Sequence, residues 1–126
     1  AQEFMPTPFD WRIGVINGEA LYVCKYFMAR NHWQIVNWSK LRDKDGKAET
    51  LTIKDAPSGL IDTALAATKL IGDSLYGVDI KEVNGKYYVI EVNDNPSIDA
   101  SIEDKVMKDQ LYLRIMDTLL QRVKSY

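Results

Sequence analysis

Leu75-Tyr76-Gly77-Val78-Asp79-Ile80-Lys81-Glu82-Val83, then Asn84-Gly85, then Lys86-Tyr87-Tyr88-Val89-Ile90-Glu91-Val92-Asn93 is the most informative stretch of this chain. Two runs rich in β-branched and aromatic residues on either side of Asn-Gly predict a β-hairpin. Asp79, Lys81, Glu91 and Asn93 interrupt strands that are otherwise nearly all apolar, and polar groups in such strands need an explanation. With a two-residue turn Val83 would oppose Lys86, Asp79 would share a face with Ile90 and Val92, and neither face would be clean. A three-residue loop, Val83-Asn84-Gly85 with Gly85 left-handed in a bulge, opposes Glu82 to Lys86 instead. It separates Val78, Ile80, Tyr88, Ile90 and Val92 from Asp79, Lys81, Glu91 and Asn93, and the pattern favours it. Two carboxylates and a carboxamide oxygen on one face form a hard-oxygen set suited to Mg²⁺. The competing reading is an edge hairpin with solvated charges on its outer face.

Outward from this hairpin, the same signals recur. Trp11 to Ile16 and Ala20 to Ala29 are strand-like and joined by Asn17-Gly18, a second hairpin signature. The tract Ser39 to Lys47 has charge and turn residues but no apolar period, and reads as an exposed loop or hairpin tip. After a short strand at Thr50 to Ile53, Asp55 is placed to cap a helix over 57–71 with Pro57 in its first turn and Gly72 closing it. Ile61, Ala64, Leu65, Thr68 and Ile71 share its apolar face. Ser101 with Asp104 resembles a capping box for a longer C-terminal helix, with one row at Ile102, Val106, Leu113, Met116, Leu120 and Val123 and a second at Met107, Leu111, Ile115 and Leu119. Hairpins interrupted by helices predict an α+β fold, an antiparallel sheet built from two Asn-Gly hairpins with helices packed on one face.

The 126 residues, 46% hydrophobic and 27% charged, suit one globular domain over 1–126. One cysteine, Cys24, allows no internal disulfide, so a reducing, cytoplasmic setting is expected and Cys24 reads as a small buried hydrophobe. A net charge of -2 offers no general electrostatic reason to bind nucleic acid, and no apolar run approaches the roughly 18–20 residues that span a bilayer. The chain opens without Met, inside a strand-like run, and so reads as part of a longer protein.

Gly77-Val78-Asp79-Ile80, followed twelve residues after the Asp by Glu91-Val92-Asn93 and then Pro96, resembles the metal-binding segment near the C-terminal end of ATP-grasp ligases. Gln2-Glu3-Phe4-Met5, leading to Asp10-Trp11-Arg12, resembles the hinge strand and D-x-R strand of the RimK-like amino-acid ligases, which add glutamate to proteins or small peptides. The resemblance implies the C-terminal subdomain of the catalytic unit, with the N-terminal ATP-grasp lobe absent, and hence a fragment inactive alone. It implies Asp79, Glu91 and Asn93 as ligands of Mg²⁺ (or Mn²⁺), and Arg12 as the catalytic side chain on the ATP phosphates. Asp10 would hold the ribose hydroxyls, and the backbone of Glu3, Phe4 and Met5 would hold adenine. Phosphoryl transfer to a carboxylate is mainly positioning and charge neutralisation, for which a planar Arg fork and a divalent cation are suited. The implied partners are ATP and an amino-acid or peptide substrate, with self-association of the chain also compatible.

Lys25 is a further candidate for the nucleotide site, with a lysine snorkelling on the sheet as its competing reading. His32, Asn37 and Ser97 are candidates on the substrate side. A Gly often follows the family's Pro, whereas this chain reads Pro96-Ser97-Ile98-Asp99, so the acceptor loop differs in shape. A calcium loop over Asn93 to Asp104 fails, because Ile98 sits where Gly is needed and a strand precedes it. The alternative function is a non-catalytic binding module of the same fold, for which Trp11, Trp33 and Trp38 could form a docking surface.

Overall fold

A computed structural model of the chain describes residues 7–27, 48–96, 98 and 102–124. The hinge-like stretch at 2–5, the tract at 39–47, and His32, Asn37, Trp33, Trp38, Ser97 and Ser101 lie outside the described residues. Five strands, β1 (Phe9–Ile16), β2 (Glu19–Phe27), β3 (Ala48–Leu51), β4 (Leu75–Val83) and β5 (Lys86–Asn93), form one antiparallel sheet in the order β3-β2-β1-β4-β5. Two helices, α1 (Ser58–Lys69) and α2 (Asp109–Lys124), complete the α+β fold. None of the described helices is long and apolar enough to cross a membrane.

Both hairpins turn on Asn-Gly with two residues, because Asn17, Gly18, Asn84 and Gly85 all have positive φ, between 50° and 76°. Two consecutive left-handed residues twist the turn to match the strands, and Asn and Gly adopt that conformation most readily. Ile16 therefore opposes Glu19 and Val83 opposes Lys86. The three-residue loop at Val83-Asn84-Gly85 is not formed, and a bulge lies elsewhere. Ile80 pairs with Val89 and Asp79 with Glu91, so Ile90 is the extra residue. The shift returns Asp79, Glu91 and Asn93 to one face, which Lys81 shares by alternation along β4. It also corrects the apolar face: Tyr88 opposes Lys81 and is 41% exposed, whereas Tyr87 turns towards the core.

The core lies on both faces. On one, Trp11, Ile13, Val15, Val23, Val78 and Ile80 bury against Leu60 and Ala64 of α1. On the other, Ile16, Leu21, Tyr22, Cys24 and Tyr26 meet Ile102 and then Leu111 and Ile115 of α2. The two helices are thus divided between the faces rather than sharing one. Gly14 makes this second face possible, since a Cβ there would stand 2.2 Å from the Tyr22 ring.

Helix boundaries differ from the expected ones for local reasons. Pro57, not Asp55, occupies the cap of α1, where its carbonyl accepts from Leu60 and Ile61; the Asp55 N–H is turned to Thr52. α2 starts at Asp109 because Lys108 has φ 54°, which separates the turns over 102–108 from the helix. The buried row is Leu111 and Ile115, while Leu113, Met116, Leu120 and Val123 are half or more exposed.

Candidate nucleotide and metal site

β1 is the central strand, and its even-numbered residues face the polar side of the sheet. Arg12 stands directly opposite Asp79 on β4 and Cys24 on β2. Its Nε donates to Asp79 Oδ1 at 2.8 Å and a terminal nitrogen donates to Oδ2 at 3.2 Å, a fork-on-fork pair with both side chains mostly buried. Burial by itself would lower the Arg12 pKa, but the Asp79 hydrogen bond and charge outweigh it and the net shift is upward, so the guanidinium stays charged. The Arg12 guanidinium also lies 4.9 Å from the Tyr26 ring centroid.

Asp10 is buried beside this pair. Its Oδ1 accepts from Lys81 Nζ at 2.6 Å and from the Thr7 hydroxyl at 3.4 Å, and Lys81 also donates to Thr7 at 3.2 Å. Asp10 Oδ2 is buried with no hydrogen-bond partner among the described residues. Asp10 was expected from the sequence; its tie to Lys81 was not, because it depends on β4 lying beside β1, which no local signal encodes.

The resulting polar row runs from Asp10 and Lys81 through Arg12 and Asp79 to Glu91 and Asn93. Asp79 and Glu91 are cross-strand partners, and Asn93 lies two residues beyond Glu91 on the same face. Asn93 Oδ1 accepts from the Asn95 N–H at 2.9 Å and keeps a second lone pair. Among the described residues no three His, Cys, Asp or Glu side chains gather at one point. A cation here would therefore need the Asn93 carboxamide as its third protein group, and this all-oxygen donor chemistry fits Mg²⁺.

Lys25 does not join this row. It opposes Trp11 on the α1 side of the sheet, with Nζ 4.9 Å from the Phe9 ring centroid and 5.1 Å from that of Trp11. Beyond the irregularity at Leu21, the odd-numbered β2 residues Val23 and Lys25 face away from Arg12, and the lysine covers aromatic surface instead. Trp11 is itself 3% exposed and donates its indole N–H to Glu82 at 3.0 Å, so it offers no docking surface. Cys24 is fully buried, as expected, and burial pushes its thiol up to about 12. Beneath the row, Glu103 is fully buried among Tyr22, Tyr26 and Cys24; burial raises both tyrosine hydroxyls and the Glu103 charge raises them further. Nothing in the sequence marks Glu103, one of three consecutive charged residues, Glu103-Asp104-Lys105, ahead of α2.

This arrangement is the fold of the ATP-grasp ligases. A D-alanine–D-alanine ligase from Bacillus anthracis complexed with ATP matches 96% of this chain and 41% of its own at 20% identity and a TM-score of 0.64. The ATP-grasp ligase PsnB, complexed with a minimal precursor, Mg and ADP, matches 75% of this chain and 27% of its own at 23% identity and a TM-score of 0.52. The chain thus spans between about a quarter and two-fifths of the length of these structures. Residues 10–119 match the RimK-like ATP-grasp domain, and the chain belongs to that family. No curated protein sequence matches it significantly.

Proposed function

We propose that this chain is the C-terminal part of the catalytic unit of an ATP-dependent carboxylate–amine ligase. The observation that carries the reading is the single polar face holding Arg12, Asp79, Glu91 and Asn93 in a chain of the RimK-like ATP-grasp family. The PsnB structure contains Mg and ADP, and the D-alanine–D-alanine ligase contains ATP, which supports the same ligands here. The reaction joins a carboxylate to the ATP γ-phosphoryl, releasing ADP, and an amine then attacks the acyl phosphate to give an amide and phosphate. An amino acid such as glutamate is one of the two substrates, and a peptide or protein is the other.

Asp79, Glu91 and Asn93 would hold Mg²⁺, which when bound neutralises phosphate oxygens and aligns them for transfer. Arg12 contributes a fixed planar charge to the transferring phosphoryl group. Asp10, with one oxygen tied to Lys81, keeps Oδ2 as an acceptor for a ribose hydroxyl.

The experiment is phosphate release by the full-length protein supplied with ATP, Mg²⁺ and amino acids, with glutamate first. Amino-acid-dependent release, lowered about a hundredfold by Arg12→Ala, is expected. ATP binding without release under every amino acid would instead favour the non-catalytic module. The 126-residue chain alone should fold cooperatively and release no phosphate, because it contributes only part of the cleft.

A further inference from the structure

Arg12 has a second seat besides Asp79. Asp10 pairs with Tyr26 and Arg12 with Cys24, so Tyr26 lies diagonally from Arg12 on the same face, within reach of a long side chain. The guanidinium stands over its ring at 4.9 Å. Tyr26 is only 2% exposed and is closed in from below by the C-terminal segment: Glu103 lies beside its hydroxyl, and Ile102 of the same segment accepts from Thr50 on β3. The ring therefore has no free space to turn away, and its face is a fixed aromatic surface diagonal to Arg12 on β2.

We propose that Tyr26 is the positioning residue that keeps Arg12 over the polar face when the Asp79 carboxylate is engaged elsewhere. This rests on the ligase reading, in which Asp79 is drawn to a cation. A guanidinium that loses its carboxylate next to a new positive charge is pushed towards solvent. A buried π-face attracts the guanidinium whatever the state of Asp79 and leaves its edge, with the N–H donors, free for phosphate oxygens. Asp79 sets where Arg12 rests without ligand, and Tyr26 limits how far it travels.

The test is ligand-free NMR of this chain, following the Arg12 Nε–H resonance and its contacts with the Tyr26 ring protons. In Asp79→Asn, the upfield ring-current shift and the Arg12–Tyr26 nuclear Overhauser effects should persist. They should persist again in Asp79→Asn/Tyr26→Phe and vanish in Asp79→Asn/Tyr26→Leu. Loss of both signals in Asp79→Asn alone overturns the proposal, and that measurement does not depend on the Leu variant folding. In the full-length protein Tyr26→Leu should weaken ATP binding by about 2-fold to 30-fold and Tyr26→Phe should restore it. Wild-type protein that binds no ATP while the NMR result holds would overturn the ligase reading and leave the seat itself intact.

Discussion

Asp79 and Glu91 stand directly opposite one another across β4 and β5, and they do so because Ile90 is extruded as a bulge. A regular ladder continued from the Asn84-Gly85 turn would set Ile90 opposite Asp79 and turn Glu91 towards α1. The bulge thus brings two carboxylates onto one face, an arrangement that disfavours folding and needs a compensating positive charge. Without ligand that charge is Arg12.

Glu91→Lys should accordingly stabilise the fold by about 0.2–1 kcal/mol, since it replaces a like-charge cross-strand pair with an opposite one. It should also abolish Mn²⁺-induced broadening of the amide signals of residues 79, 91 and 93. Greater stability with lost cation response is the signature of a functional site held against its folding optimum. Urea denaturation and a Mn²⁺ titration read the two effects, and a variant that still responds to Mn²⁺ would remove Glu91 from the site.

Arg12→Met leaves Asp79 buried beside Glu91 with its counter-charge gone. The cost should approach the lower end of the 3–5 kcal/mol seen for broken buried pairs, because Arg12 keeps a 20% exposed side chain. Mg²⁺ should raise the Tm of this variant more than that of the wild type, since Arg12 no longer competes for Asp79. Equal Mg²⁺ shifts in the two proteins would mean that the cation and Arg12 do not share the carboxylate.

Which face each functional residue occupies was largely legible, because alternation along a strand has a period of two and Asp79, Lys81, Glu91 and Asn93 keep that phase. Which residues touch was less so. Placing the bulge at the turn preserved the faces of Asp79 and Glu91 but misassigned Tyr88, since a slip at Ile90 and a slip at the turn differ only in the strand segment between them. The Asp10–Lys81 and Arg12–Asp79 pairs join residues 71 and 67 positions apart. They exist only once β4 lies beside β1, an order set by tertiary packing rather than local pattern. Lys25 is a different case: its charge suggests a phosphate, but its place opposite Trp11 puts its ammonium over Phe9 and Trp11, on the face away from Arg12.

Alkaline pH should weaken the fold through the buried groups around Arg12. Unfolded cysteine titrates near 8.5, whereas burial raises native Cys24 to about 12. The native chain then holds more protons than the unfolded chain, so stability is full below about pH 8.5 and falls as pH rises towards 12. Tyr22 and Tyr26, also raised by burial, act in the same direction from about pH 10. Between pH 8.5 and 10, Cys24→Ala should show a flatter decline in unfolding free energy than the wild type. Parallel declines in urea titrations at stepped pH would show that the thiol is not shielded as described.

Gly77 sets the loop that follows Asn93. A Cβ at position 77 would lie 2.8 Å from Pro96 Cβ, so Gly77→Ala forces the 94–96 segment outwards although its backbone φ suits alanine. Overpacking of this kind costs about 1–3 kcal/mol. The same displacement strains the hydrogen bond from the Asn95 N–H to Asn93 Oδ1, so the Mn²⁺ response should fall together with stability. Pro96→Gly removes the clashing atom, and in Gly77→Ala/Pro96→Gly most of the Gly77→Ala penalty should disappear, a coupling of about 1 kcal/mol or more in a double-mutant cycle. Additive costs in that cycle would show that Pro96 is not what position 77 must avoid.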